Sequence, residues 1–323
     1  MHSQILRTPE SAFSHLVDYP FTPNYIEVDG MRMHYVDEGI GNKKTVFLLH
    51  GQPSWSYLYR HMIPLLVNDG YRVIAPDLIG FGKSDKPSSS DVQTYANQVR
   101  WMSEFVQKLG VKNAAAFMQD WGGMIGLRVL AQQPEWLDRL VLANTALAEV
   151  SGFEKFMMPK VLKLMASFAG KPSIETLSNK MNYGNWAGYF KHSETLEIGK
   201  VIQALTTRHL SQDEMNAYDA PFPDSRYYAA PRKMPAIVAS DLNEVNEAWQ
   251  NLKQWDKPVL TLFSNEDPFL ADQGYDIKFQ NNFTGAQHQP HSTIESASHF
   301  LQEDKSEQLA EKMMAWLAQT NFK

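Results

Sequence analysis

Ala114-Ala115-Ala116-Phe117-Met118-Gln119-Asp120-Trp121-Gly122-Gly123 is the stretch that decides how this chain folds. Ala114 to Met118 is an apolar run of strand length,. Met124-Ile125-Gly126-Leu127-Arg128-Val129-Leu130 follows with helical spacing,. A strand, one polar residue at the bend and a helix opened by glycines is the layout of a nucleophile elbow. Serine is the usual residue at the bend, but here it is the carboxylate Asp120. A serine oxygen attacks carbonyl carbon, whereas a carboxylate suits displacement of a leaving group from carbon, with an ester as the intermediate. Met118 is larger than the small residue a tight bend usually takes two positions earlier, so its side chain is expected to point away from the turn.

Around this motif strands alternate with helices. Tyr25 to Val28 and Met31 to Glu38 flank Asp29-Gly30 and read as a hairpin,. Thr45 to His50, Tyr71 to Ala75 and Leu137 to Asn144 read as short buried strands,. Tyr57 to Leu66 and Val92 to Leu109 read as helices. Strands return at Pro258 to Phe263 and near His291 to Ile294, and a last helix is expected over Ser306 to Gln319. The pattern predicts a mostly parallel central sheet with helices on both faces. From about 150 to 236 there is no convincing strand, and Phe153, Phe156, Met157, Met158, Met165, Phe168, Trp186, Tyr189 and Phe190 crowd a helical stretch. We expect this block (150–236) to be a helical cap inserted into a core domain made of 1–149 and 237–323. It would lie over the carboxyl edge of the sheet, where such sheets bind ligands. Most of its aromatic side chains are expected to pack as core, and a few to line a pocket.

Composition narrows the function. With 323 residues, 43% apolar and 20% charged, the chain suits one large globular domain or one with an insertion,. The net charge of −6 and the lack of a Lys/Arg run weigh against nucleic acid or an anionic membrane as partner,. The absence of cysteine removes disulfides, thiolate catalysis and cysteine-bound metal,. Residues 1–20 hold no continuous apolar stretch and no small-residue cleavage site, so no signal peptide is read and cytoplasmic residence is expected,. His288 and His291 flank Pro290 in loop-like sequence and lack the further donors of a metal site,. Gly80, Gly82 and Lys83 lack the spacing of a phosphate loop, and Asp77 and Asp85 are expected to order the loop around Gly80,.

Three residues fit nucleophile, acid and base. Asp120 comes first; Asp267 lies just after the strand ending at Phe263; His299 lies just after the strand near Ile294. That order, each residue at a strand end, is the one expected in an α/β-hydrolase fold. Glu266 is the competing acid, and Asp267 is preferred because it directly precedes Pro268 where the loop turns.

His50-Gly51-Gln52-Pro53-Ser54-Trp55, Gly80-Phe81-Gly82-Lys83-Ser84-Asp85, Gln119-Asp120-Trp121-Gly122-Gly123 and Ala220-Pro221-Phe222-Pro223-Asp224 together resemble the haloalkane dehalogenases of the α/β-hydrolase superfamily, over nearly the whole chain. The chain is most similar to the branch that uses a cap tryptophan as second halide-binding group. The resemblance implies hydrolysis of a carbon–halogen bond through an ester on Asp120, with His299 as base and Asp267 orienting it. Trp121 would bind the departing halide. An indole N–H is donor-only on a large apolar body, suited to a halide in a dry pocket. Trp186 would be the second halide donor, and the backbone N–H groups of Gln52 and Trp121 the oxyanion hole. The implied partners are a small halogenated hydrocarbon, water and halide, with no metal or organic cofactor, and the chain a monomer or weak homo-oligomer. The resemblance also implies a cis bond before Pro53, where the family's loop turns sharply. An epoxide hydrolase is the alternative, using the same Asp/His/Asp set with two cap tyrosines drawn from Tyr183, Tyr189, Tyr227 and Tyr228. A non-catalytic receptor on the same fold is a third reading.

Overall fold

The Asp29-Gly30 pair turns the chain with left-handed φ of 51° and 75°. Across it β1 (Asn24–Val28) pairs antiparallel with β2 (Met31–Glu38). The structure is a computed structural model describing residues 4–320; residues 1–3 and 321–323, which the expected core boundaries include, lie outside the described residues. The remaining strands of the main sheet are β3 (Lys44–Leu49), β4 (Tyr71–Pro76), β5 (Ala114–Gln119), β6 (Leu137–Ala143), β7 (Val259–Ser264) and β8 (Ser292–Ile294). Their order is β1-β2-β4-β3-β5-β6-β7-β8. β2 meets β4 antiparallel, and every pairing from β4 to β8 is parallel. All residues of β5, β6 and β7 are buried, as in strands covered on both faces,.

Helices α1 (Met62–Asn68), α2 (Tyr95–Leu109) and α3 (Trp121–Gln132) surround the first half of the sheet. The single helix expected over 57–66 is instead a 3₁₀ turn, Ser56–Tyr59, followed by α1. Arg60, at the break, donates to the Tyr57 carbonyl and to the carboxylates of Glu214 and Glu303. α2 starts three residues later than expected because Thr94 caps it, its Oγ1 accepting from the Asn97 N–H at 3.1 Å,.

Between β6 and β7 the described chain is helical. It runs through α4 (Gly152–Phe168), α5 (Ile174–Asn179), α6 (Tyr183–His192), α7 (Ile198–Ala204), α8 (Gln212–Asp219), α9 (Ala229–Lys233) and α10 (Leu242–Lys253). α10 packs on α3 and belongs with the sheet. α8 is tied to it by buried bonds: Trp55 Nε1 donates to the Ala217 carbonyl at 3.2 Å, and the Tyr218 hydroxyl donates to Glu303. α4 is different, since none of its residues is buried. The expectation that most aromatics of this block are core holds outside α4 and fails on it. Phe153, Phe156 and Phe168 face solvent, whereas Trp186, Tyr189 and Phe190 of α6 are buried. α11 (Tyr275–Asn282) and α12 (Leu301–Gln319) close the fold. α12 begins five residues before the expected Ser306, and Lys305 leaves the helical conformation just ahead of that residue. No helix of the described residues is long and apolar enough to cross a membrane.

Candidate active site

β5 delivers Asp120 in a conformation few residues accept, with φ 50° and ψ −129°,. The bend is held from both sides. The Asp120 N–H donates to the Asn144 carbonyl at 2.9 Å, and Thr145 Oγ1 donates to the Asp120 carbonyl at 2.7 Å. The glycines after it allow α3 to lie close: a Cβ on Gly122 would run into the Leu49 and His50 carbonyls, and one on Gly123 into Thr145. Met118 points away from the turn, its sulfur resting where a side chain on Gly126 would be.

The Asp120 carboxylate is divided between two neighbours. Oδ1 accepts from the Gln52 N–H at 2.7 Å, and Oδ2 lies 3.5 Å from His299 Nε2. The Gln52–Pro53 peptide is cis, as expected. His299 Nδ1 lies 2.8 Å from Asp267 Oδ2. The other oxygen of Asp267 accepts from the N–H groups of Phe269 and Leu270 at 2.8 and 3.2 Å, so the backbone fixes its orientation. Glu266 is exposed and takes no part in this chain of contacts. Burial alone pulls the pKa of His299 down. The carboxylates of Asp267 and Asp120 outweigh it and raise the value from 6.5 to about 10,.

Trp121 and Trp186 line the same cavity, of about 470 Å³, as Asp120 and His299. Tyr95 packs edge-on to Trp121 at 5.1 Å, and Phe190 and Phe269 pack edge-on to Trp186 at 4.7 and 5.4 Å. Both indoles are buried, and neither N–H has a protein hydrogen-bond partner among the described residues. The rest of the lining is mostly apolar, including Met124, Met158, Leu162, Val238 and Phe269; among the described residues Asp120 and His299 are its only charged side chains. Such a cavity suits an apolar molecule and presents it with two unpaired N–H donors,.

The tyrosines needed for epoxide opening are otherwise engaged. The Tyr183 hydroxyl donates to the Pro235 carbonyl at 2.8 Å, and Tyr189, Tyr227 and Tyr228 are not in the lining. His291 is structural: Nδ1 accepts from the Thr261 N–H at 3.0 Å, and Nε2 lies 2.8 Å from the Ala286 carbonyl. Asp77 orders the Gly80 loop as expected, accepting from the N–H groups of Ser56 and Lys83 at 2.8 Å each and contacting His34 Nδ1 at 2.7 Å.

Sequence reasoning gave no role to Gln119 or Asn144. Gln119 Nε2 donates to the His299 carbonyl at 3.1 Å and lies 3.2 Å from His299 Nε2. Asn144 donates to Ser264 Oγ and to the Ser298 and His299 carbonyls at 2.7, 3.0 and 3.1 Å, knitting β6, β7 and the histidine loop together. The available signal was an amide ending each of two buried apolar runs, 114–119 and 137–144, where a polar group must find partners,.

Residues 44–306 match the family described as alpha/beta hydrolase fold. A haloalkane dehalogenase from Psychrobacter cryohalolentis is 40% identical over 324 residues, covering 97% of this chain and 98% of its own. One from Mycolicibacterium paratuberculosis is 38% identical over 322 residues, with 97% and 98% covered. The solved tetrameric haloalkane dehalogenase DpaA from Paraglaciecola agarilytica NO2 is 27% identical, covers 99% of this chain and all of its own, and superposes with a TM-score of 0.81.

Proposed function

Because this chain belongs to the haloalkane dehalogenase family of α/β-hydrolase fold proteins, we propose that it hydrolyses small haloalkanes, with Asp120 as nucleophile, His299 as base and Asp267 as the acid that orients it. Residues 150–236 act as the cap over a core of 1–149 and 237–323. The observation that carries this reading is the divided carboxylate of Asp120: one oxygen is held by the Gln52 N–H, the other is turned toward His299, and both face an apolar cavity holding two unpaired indoles.

Asp120 Oδ2 forms a bond to the halogen-bearing carbon as the carbon–halogen bond breaks, and the electron pair leaves with the halide. Trp121 and Trp186 donate their N–H groups to that anion. Charge-assisted hydrogen bonds of this kind are worth roughly 1.5–3 kcal/mol each. Asp267 keeps its charge, but the ester removes that of Asp120, the other carboxylate that raises His299. That lowers the hold of His299 on its proton and favours the neutral imidazole that can take one from water,. Water adds to the ester carbonyl carbon, and the oxygen already held by the Gln52 backbone N–H takes the negative charge, shared with the backbone N–H of Trp121. Collapse returns the carboxylate and releases an alcohol. Haloalkane plus water yields alcohol, halide and one proton, with no cofactor in the balance.

Cytoplasmic residence and a monomeric or weakly associating state are part of the same proposal. Epoxide opening is not favoured: among the described residues Tyr183 is the one cap tyrosine that lines the cavity, and its hydroxyl donates to the Pro235 carbonyl. The test is halide release from a panel of bromo- and chloroalkanes with an epoxide as control. Release that disappears in Asp120→Ala is the expected result; diol from the epoxide without halide release would overturn it.

A further inference from the structure

The side chains of α4 divide into two apolar stripes. Met158, Leu162 and Met165, at helical spacing, line the cavity,. Phe153, Phe156, Lys160, Leu164 and Phe168, also at helical spacing, form a second stripe,. The apolar side chains of this second stripe are largely exposed: Phe153 75%, Phe156 61%, Leu164 55% and Phe168 82%. An exposed apolar strip of this kind marks a surface that something else covers.

Charge identifies what covers it. Lys160 sits within the stripe with its Nζ over the Phe156 ring, 3.3 Å from the centroid. Lys163 lies beside the stripe and Lys171 just beyond the helix, both exposed, while Glu154 is the only acid on α4. A second copy laid on this face by two-fold symmetry would bring Lys160 and Lys163 against their own counterparts. An anionic lipid surface takes both components, the rings at the acyl boundary and the ammonium groups among headgroup phosphates. The net charge of −6 is a sum over the whole surface, and screening within about 8 Å makes the local sign decide,.

We propose that the outer stripe of α4 docks this protein on an anionic membrane surface, with the roof of the cavity at the lipid boundary. Resting on the dehalogenation reading, the same contact places the cavity where apolar haloalkanes concentrate, behind the helix that roofs it.

The full chain is sedimented with vesicles of phosphatidylcholine alone or mixed with phosphatidylglycerol, at low and high salt. Binding to the anionic vesicles only, weakened by salt, is expected. Phe156→Ser/Phe168→Ser and Lys160→Glu/Lys163→Glu should each lower the bound-to-free ratio about tenfold or more. None of the four side chains lines the cavity, so halide release from a water-soluble bromoalkane should be unchanged in both variants. Equal binding to both vesicle types, no binding, or binding indifferent to the variants overturns the proposal. So does self-association that Phe156→Ser/Phe168→Ser disperses without any vesicle binding, which would give the face to a second copy. Because halide release is read separately, loss of docking and loss of the dehalogenation reading are distinct results.

Discussion

At the floor of the cavity the reactive side chains are held by crossing hydrogen bonds: Asp120 by the Asn144 carbonyl, the Thr145 hydroxyl and the Gln52 N–H, Asp267 by the N–H groups of Phe269 and Leu270, and His299 by Asp267. In the roof, α4 contributes Met158, Leu162 and Met165 to the same cavity without burying a single residue. Helix α6 lies between these extremes, with Trp186 buried against Phe190 and Phe269. The difference separates two tasks. Displacement and ester hydrolysis need atoms placed to a fraction of an ångström, which a strand end crossed by hydrogen bonds supplies. Admitting different apolar molecules needs a surface that yields, and few buried contacts make a helix yield easily.

The largest effects therefore belong to the floor. His299→Gln is expected to leave the first step intact and to trap the ester, cutting steady-state turnover roughly 10²–10⁴-fold. Intact-protein mass after exposure to substrate should rise by the alkyl group, with one halide released per chain. Normal turnover would remove His299 as base. The same residue gives a pH signature. Its pKa is raised from 6.5 to about 10, so the fold binds this proton more tightly than the unfolded chain does. The resulting stabilisation is fully present below pH 6.5 and is lost as pH rises through about 10,. The stability difference between wild type and His299→Gln, measured by denaturant titration, should shrink across that window. A flat difference would mean that Asp120 and Asp267 do not hold the proton.

Glycine substitutions compare the two regions by packing alone. In Gly122→Ala the new methyl meets the carbonyls of Leu49 and His50, which a strand cannot move. A loss of about 3 kcal/mol is expected, with a clear fall in melting temperature. In Gly184→Ala the methyl lies 3.0 Å from the Met165 carbonyl of α4, and a helix without buried residues can retreat. Its cost should stay below about 1 kcal/mol. Equal losses would mean that the roof is as rigid as the floor.

The floor was legible in the sequence because its constraints are local. Gln119-Asp120-Trp121-Gly122-Gly123 carries the bend, the nucleophile and the close helix–strand contact in consecutive residues, and Asp267 and His299 each follow a readable strand. The roof was less legible because spacing marks a face of a helix without saying what lies against it. Phe153, Phe156 and Phe168 have the same period as a buried stripe, yet they face solvent,. Gln119 and Asn144 escaped notice for a related reason: their partners are carbonyls and side chains brought near by other strands.

The two tryptophans test the comparison most finely, since one belongs to each region. Trp121 opens α3 directly after the bend and is wedged by Tyr95, whose hydroxyl is itself fixed to the Met124 carbonyl at 2.7 Å. Trp186 is carried by α6, which is positioned by the Asn182 cap and by the bond from Tyr183 to Pro235. Replacing either with phenylalanine removes one N–H donor and keeps an apolar ring. If placement sets the strength of a halide hydrogen bond, Trp121→Phe should raise the bromide inhibition constant about a hundredfold and Trp186→Phe about tenfold, within the roughly 1.5–3 kcal/mol such bonds carry. Bromide inhibition of steady-state turnover measures both. No change in Trp186→Phe would remove that indole from the halide site. A larger loss there than in Trp121→Phe would mean that the cap, rather than the sheet, fixes the geometry of the leaving group.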